Sequence, residues 1–481
     1  MPQQSIKKNY FYNLSYQILQ LLTPLITVPY LSRVLTAEGI GIQSYTNSVV
    51  SYFVMAASLG IGLYGQREIA YNRDNETKKT KVFLELSLIR FITVLMSLFC
   101  YFIFVILYGQ YKLLFIIESA NIIACLFDFT WYYQGMENFK NIAFRNIFFK
   151  LLSVVLIFLF IKSSDDLYIS VIIGSGTFLI GHIYLAFFAV KGLYQEIKKV
   201  NIKTLRPFKH FNKIILLFVP QIAVQIYTVL DKTMIGIITH SPLENGWYEQ
   251  SIKIIKLLLV IITSLGTVLI PRIANLNANK KYNEIKKSLT QSFLFVFAIG
   301  LPMMFGLIGV ADLFVPVFFG PGYEKSIILI QILSGLFLAI GMNNVIGMQY
   351  LIPVKKEKTF TITVIIGALS NFLLNLILIP KYKAVGAAIS SVCAESIIVL
   401  IQFFYIYKLI DIMLILKRLW RYFFSSFIMI LLLFFLKNVL LSGPIALFVI
   451  IGACSTVYIL ILLLLRDPFI FSILTKILKR S

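Results

Sequence analysis

FVPQIAVQIYTVLDKTMIG, residues Phe218–Gly236, is the stretch that decides how this chain is read. It is apolar along most of its length, yet it carries Asp231 and Lys232 side by side near one end. Ionisable groups in a membrane-spanning helix are costly and by default mark a transport or binding pathway. Pro220 precedes them by eleven residues, at a position where a helix can kink toward a cavity.

The rest of the 481 residues bears out the membrane setting: 59% are hydrophobic and 14% charged. A soluble domain averages about 45–50% apolar and about 25% charged. Runs of roughly 20 apolar residues, each able to cross a hydrocarbon core, recur from end to end. Fourteen spans are expected, the first at 11–32 and the last at 443–465, among them 146–162, 167–190 and 248–271, with short Gly- and Pro-rich turns at 311–325 and 380–383. The short alternating strands of an outer-membrane barrel are missing from the pattern. The opening MPQQSIKKNYFYN runs into the first span with no small-residue cleavage site, so a cleavable signal peptide is not expected.

The net charge of +23 follows the topology. Of the 44 Lys and Arg, 32 fall on the side that holds both termini, 7 on the other side and 5 within spans. That asymmetry places both termini in the cytoplasm and draws the protein to anionic lipid head groups. No loop is long enough to house a nucleic-acid reader, and no nucleic-acid partner is expected. The four cysteines all fall in spans without metal spacing, and His182, His210 and His240 are scattered. No cofactor or metal is expected.

The longest hydrophilic stretch between spans, 191–213, divides the chain after six spans. The expected layout is a first lobe at 1–190, a cytoplasmic linker at 191–213, a second lobe at 214–407, and a final pair of spans with a basic tail at 408–481. An internal repeat supports it. EGIGIQSY (Glu38–Tyr45) and SLGIGLYGQREIA (Ser58–Ala70) are echoed by ENGWYEQS (Glu244–Ser251) and SLGTVLIPRIA (Ser264–Ala274), with spacings that agree to one residue. Both copies start on the same side, which makes the repeats parallel, and transporters commonly place a substrate path between such repeats.

Charges inside the spans are the candidate site residues. Arg90 and Asp128 lie at matching depths of about 10 and 8 Å on sequential antiparallel helices, and are expected to pair. The pair serves either transport or helix packing. Glu249, Lys253 and Lys256 share one helix face. Arg33, Lys232, Lys253 and Lys256 are the candidate cations of a substrate cavity, suited to a phosphate or pyrophosphate head. For Arg33 and Lys232, snorkelling to the interface is the competing reading. Asp231 and the mid-span Glu395 are candidate coupling-ion or proton sites, with Glu118 a weaker instance. A neutral Glu395 hydrogen-bonded to a neighbouring helix is the alternative. Asp165 and Asp166 read as solvated turn acids, and no catalytic residue is expected.

Several motifs resemble one family. They are LTPLITVPYLSRVLTAEGIGIQSY (Leu22–Tyr45), WYYQGMENFK (Trp131–Lys140), QIYTVLDKTMIG (Gln225–Gly236), FFGPGYEKS (Phe318–Ser326), NVIGMQYLIPVKKEK (Asn344–Lys358) and SNFLLNLILIPKYKAVGAAISSVCAE (Ser370–Glu395). In that order they are similar to the polysaccharide, or oligosaccharide repeat-unit, flippases of the multidrug/oligosaccharidyl-lipid/polysaccharide exporter superfamily. The resemblance implies an all-α polytopic fold with two six-helix lobes in a V-shaped exporter arrangement plus two C-terminal helices. It also implies carriage of an undecaprenyl-pyrophosphate-linked oligosaccharide to the outer leaflet of a bacterial cytoplasmic membrane, for capsule, exopolysaccharide or O-antigen assembly. Membrane lipids, a polysaccharide polymerase and glycosyltransferases are the further candidate partners. The rival reading is a cation-coupled multidrug exporter of the same superfamily.

Overall fold

The computed structural model describes residues 6–439, 443–468 and 471. The expected all-α polytopic architecture is what it has: among the described residues there is no strand, and twelve helices are long and apolar enough to cross a membrane. The first of these, Ser15–Tyr71, is long enough to cross twice. Helix α1 (Ile6–Ser58) is interrupted at Thr36, whose φ of 60° and ψ of 174° are not helical. The seventh expected crossing is α8 (Phe211–Thr239), several of whose side chains, Pro220 among them, lie outside the described residues. The basic tail at 472–481 lies outside them too.

The chain folds into two compact units, Met1–Thr233 and Met234–Ser481. The first therefore contains the whole 191–213 stretch and most of α8. It begins with α1, the short α2 (Ile61–Tyr71) and α3 (Glu76–Tyr108). Then come α4 (Lys112–Leu126), the one-turn α5 (Thr130–Gly135), α6 (Phe139–Phe160) and α7 (Leu167–Lys199). In the second unit are α9 (Pro242–Ala278), α10 (Tyr282–Phe318), α11 (Lys325–Leu333) and α12 (Leu336–Asn343). A π-helical segment, Asn344–Leu351, continues α12, and α13 (Glu357–Tyr382), α14 (Ala384–Ile406), α15 (Ile412–Val439) and α16 (Pro444–Leu464) complete the unit.

Several helices overrun the apolar runs that announce them. The spans expected at 146–162 and 167–190 are helical over 139–160 and 167–199, and that expected at 248–271 is helical over 242–278. Hydropathy registers where lipid contact ends, whereas the i→i−4 ladder continues through polar residues until a cap stops it. The turns expected at 311–325 and 380–383 shrink as well, because α10 continues past Pro316 to Phe318 and α13 past Pro380 to Tyr382. Asp166 caps rather than only solvates: its Oδ2 accepts from the Lys162 and Ser163 amides, both at 2.8 Å.

The two copies of the SLG repeat differ in conformation. At Ser58–Gly60 the helix stops, with Leu59 and Gly60 at φ 41° and 67°. A Cβ on Gly60 would stand 3.0 Å from that of Phe218, so glycine is demanded twice over. At Ser264–Gly266, α9 runs on as a helix and Gly266 packs against the Asn344 side chain. Small residues also set the tightest hairpin, α13 against α14. There a Cβ on Gly386 would lie 2.4 Å from the Leu378 carbonyl oxygen, and one on Gly367 2.3 Å from Ile398. With lipid as the solvent, such close backbone approach supplies the dispersion energy that a hydrophobic drive supplies in water.

Candidate functional site

The charged centre of the first unit is assembled from three helices and the turn after α4. Arg90 of α3 is almost wholly buried, at 2% exposure. Its Nη1 donates to the Cys125 carbonyl at 3.2 Å and lies 3.7 Å from Asp128 Oδ2, an ion-pair rather than a hydrogen-bond distance. Asp128 follows α4 and accepts from the Thr130 amide at 3.1 Å, which fixes its orientation. His182 of α7 brings Nε2 to 3.7 Å from Asp128 Oδ1.

A second buried guanidinium, Arg145 of α6, completes the group. The His182 ring proton sits on Nδ1, which donates to the Phe178 carbonyl at 2.8 Å. That leaves Nε2 to accept from Arg145 Nη1 at 3.2 Å. Arg90 thus approaches the carboxylate directly, and Arg145 reaches the His182 ring beside it. Arg90 Nε and Nη2 and Arg145 Nε have no hydrogen-bond partner among the described residues. A desolvated ion costs several kcal/mol unless compensated, so this cluster carries surplus positive charge and unused donors. It opens on a chamber of about 380 Å³ that also takes in Lys150, Asn146, Ser153 and Tyr16. Fixed cations, amides and aromatic rings around such a space suit a phosphate-bearing ligand.

The four cations expected to line one cavity fall in both units: Arg33 and Lys232 in the first, Lys253 and Lys256 in the second. Arg33 is exposed and donates to the Pro29 carbonyl at 3.1 Å within its own helix. Lys232 is half-buried beside the buried Asp231. Lys253 pairs with Glu249 at 3.0 Å along α9, and Lys256, one turn on, is exposed. In the second unit Glu395 is buried on α14 and accepts from Asn343 Nδ2 at 3.0 Å, beside the π-helical segment. π-Helical turns are frequent at functional sites. Asn371 and Asn375, fully buried, hydrogen-bond one another along α13 at 3.1 Å.

The histidines expected to be scattered are not idle. Besides His182, His210 donates from Nε2 to Glu85 at 2.9 Å and accepts at Nδ1 from the Tyr64 hydroxyl at 2.7 Å. Glu85, with no exposed surface, also takes the Arg206 amide at 2.8 Å and Lys209 Nζ at 2.6 Å. The 206–210 turn of the linker is thus anchored on α3. Among the described residues, no group of three or more His, Cys, Asp or Glu is placed to hold a metal.

Fold and sequence together define a polytopic helical membrane protein with a charged interior. The family described as "Polysaccharide biosynthesis protein" matches residues 6–277, and the chain belongs to it. A curated relative, the putative O-antigen transporter of Escherichia coli (strain K12), is 27% identical over 401 residues, covering 82% of this chain and 95% of that protein. Among solved structures, the lipid II flippase MurJ in an inward closed conformation is similar at a TM-score of 0.73 and 19% identity, covering 95% of this chain and 99% of that one. An inward-facing multidrug resistance transporter of the MATE family matches at 0.61 and 13%, covering 80% and 97%. At these identities the solved structures speak for the fold alone.

Proposed function

We propose that the protein is a flippase, not an enzyme, that moves lipid-linked oligosaccharide repeat units across the membrane for surface polysaccharide assembly. The observation that carries the reading is the surplus positive charge of the buried Arg90 and Arg145 against the one carboxylate of Asp128, with His182 accepting from Arg145, beside a chamber that also holds Lys150. Family membership and the name of the Escherichia coli relative support it. Moving a pyrophosphate unaided through hydrocarbon costs many kcal/mol per charge, and a cation-lined polar route lowers that cost. The finer reading is an undecaprenyl-pyrophosphate carrier, alternating access between two six-span lobes (1–190 and 214–407), both termini in the cytoplasm, and passage from inner to outer leaflet of a bacterial cytoplasmic membrane. Arg33, Lys232, Lys253 and Lys256 belong in this reading as rim cations that receive or release the head. A polysaccharide polymerase and glycosyltransferases are its partners in assembly.

The test is a deletion strain scored for the leaflet in which lipid-linked oligosaccharide accumulates, complemented with Arg145→Ala and Arg145→Lys. Inner-leaflet accumulation, relieved by wild type but not by Arg145→Ala, supports the reading. Normal outer-leaflet supply together with altered dye resistance overturns it in favour of a multidrug exporter.

A further inference from the structure

A second chamber, about 320 Å³, adjoins the cationic one and shares Gly174 and Phe178 with it. Its polarity is opposite. Its walls carry Gln43, Asn47 and Ser51 of α1, Asn121 of α4 and Ser175 of α7, with no Lys, Arg or His among the lining residues. Its one charged group is Glu118 of α4, at 1% exposure.

Glu118 is held on one side only. Thr46 Oγ1 stands 3.0 Å from Glu118 Oε1 and 3.2 Å from the Gln43 carbonyl oxygen, while Oε2 has no partner among the described residues. A hydroxyl has one hydrogen. If Glu118 is ionised, Thr46 serves either the carboxylate or the carbonyl, and a full negative charge stays buried without a cation. If Oε1 carries a proton, it donates to Thr46 Oγ1 and Thr46 donates on to Gln43, so both contacts are hydrogen bonds. The titratable neighbour on α3, Tyr101, spends its own hydroxyl hydrogen on the Phe115 carbonyl at 2.6 Å and offers Glu118 no charge. From α1 the chamber receives Gln43, Asn47 and Ser51, and from α7 Val171, Gly174, Ser175 and Phe178, none of them ionisable.

An isolated buried carboxylate is too costly to persist, so it must be neutralised by something that enters the chamber. We propose that the Glu118 chamber is a binding site for one monovalent cation, a proton or an alkali ion. The single carboxylate sets the valence, because a divalent ion calls for more anionic ligands than one acid. The surrounding ligands are hard oxygens: the Asn121 and Ser175 side chains, already tied by a 3.1 Å hydrogen bond, and the amides of Gln43 and Asn47. Whichever ion occupies it, an anionic head beside Arg145 and a cation at Glu118 lie in neighbouring chambers and feel one another's charge. Each then alters the affinity for the other by the same factor. That consequence for transport rests on the flippase reading; the site itself does not.

The experiment is infrared difference spectroscopy on the full chain in lipid nanodiscs. One exchange swaps sodium for N-methylglucamine at fixed pH, and the other changes pH in N-methylglucamine alone. The site is supported by a carboxyl signal that responds to either exchange, vanishes in Glu118→Gln and moves in Thr46→Val. A response to pH alone assigns the proton, and a response to sodium at fixed pH assigns the alkali ion. Identical difference spectra for wild type and Glu118→Gln in both exchanges overturn the proposal, provided circular dichroism shows both proteins folded. If Glu118→Gln does not fold, the decision passes to Thr46→Val, whose failure to shift any carboxyl band is then the overturning result. A clear Glu118 signal in a protein that flips no lipid-linked oligosaccharide leaves this site standing and removes the flippase reading instead.

Discussion

Glu85→Ala releases the 206–210 turn from α3, and the size of the effect can be worked from its hydrogen bonds. Glu85 is fully buried and accepts from the Arg206 amide, His210 Nε2 and Lys209 Nζ. A hydrogen bond to a charged acceptor contributes about 1.5–3 kcal/mol. Lys209 is 46% exposed, so its share is screened to at most about 1 kcal/mol. Taking the other two at the low end gives a loss of about 3 kcal/mol, since the alanine leaves the buried His210 Nε2 and the part-buried Arg206 amide without that acceptor. At about 1.4 kcal/mol per tenfold, the undocked turn becomes roughly 100 times more populated. Where opening is fast relative to cleavage, proteolysis follows that population. Trypsin cleavage after the exposed Lys203, in full-length protein in nanodiscs, should therefore accelerate about 100-fold in Glu85→Ala. Lys209→Gln should raise it by no more than about fivefold. A Glu85→Ala rate within about threefold of wild type, under about 0.7 kcal/mol, would refute the claim that this carboxylate holds the linker.

Reversing Arg90 or Asp128 singly strands a buried charge and should cost about 3–5 kcal/mol, seen as lost expression and transport; reversing both should restore much of it. Additive losses in the double reversal would count against the 3.7 Å pair as a unit. Gly386→Ala places a Cβ against backbone atoms of Leu378 that cannot swing aside, and should destabilise the second unit by about 1–3 kcal/mol in thermal unfolding. Gly192→Ala, in α7 with open space around the new methyl, should be neutral or stabilising by up to about 1 kcal/mol. Lys253→Ala with Lys256→Ala should slow transport while leaving membrane insertion intact, and unimpaired transport in that double mutant would remove both from the substrate route.

The number of crossings, their all-helical character and the asymmetry of basic residues are properties of local composition. A run of about 20 apolar residues has one way to satisfy its backbone in lipid, so no tertiary information is needed to read it. Matching depths for Arg90 and Asp128 follow equally from counting along two sequential antiparallel helices, and the structure sets those side chains 3.7 Å apart.

What the apolar runs could not report is where polar helix ends stop and which polar groups meet. Arg145 falls one residue outside the span expected at 146–162, whereas α6 begins at Phe139 and carries it almost two turns in, facing His182 on a helix that itself runs nine residues past its expected end. The linker looks like a solvated basic loop because its acceptor, Glu85, lies more than 120 residues earlier in the chain. Glu118 looks like a lone acid in a greasy span, and only packing of α1 and α7 against α4 gives it Thr46 on one side and an oxygen-lined chamber on the other. Composition determines that the chain crosses the membrane; the contacts between crossings decide which buried charges are neutralised by partners and which keep surplus charge.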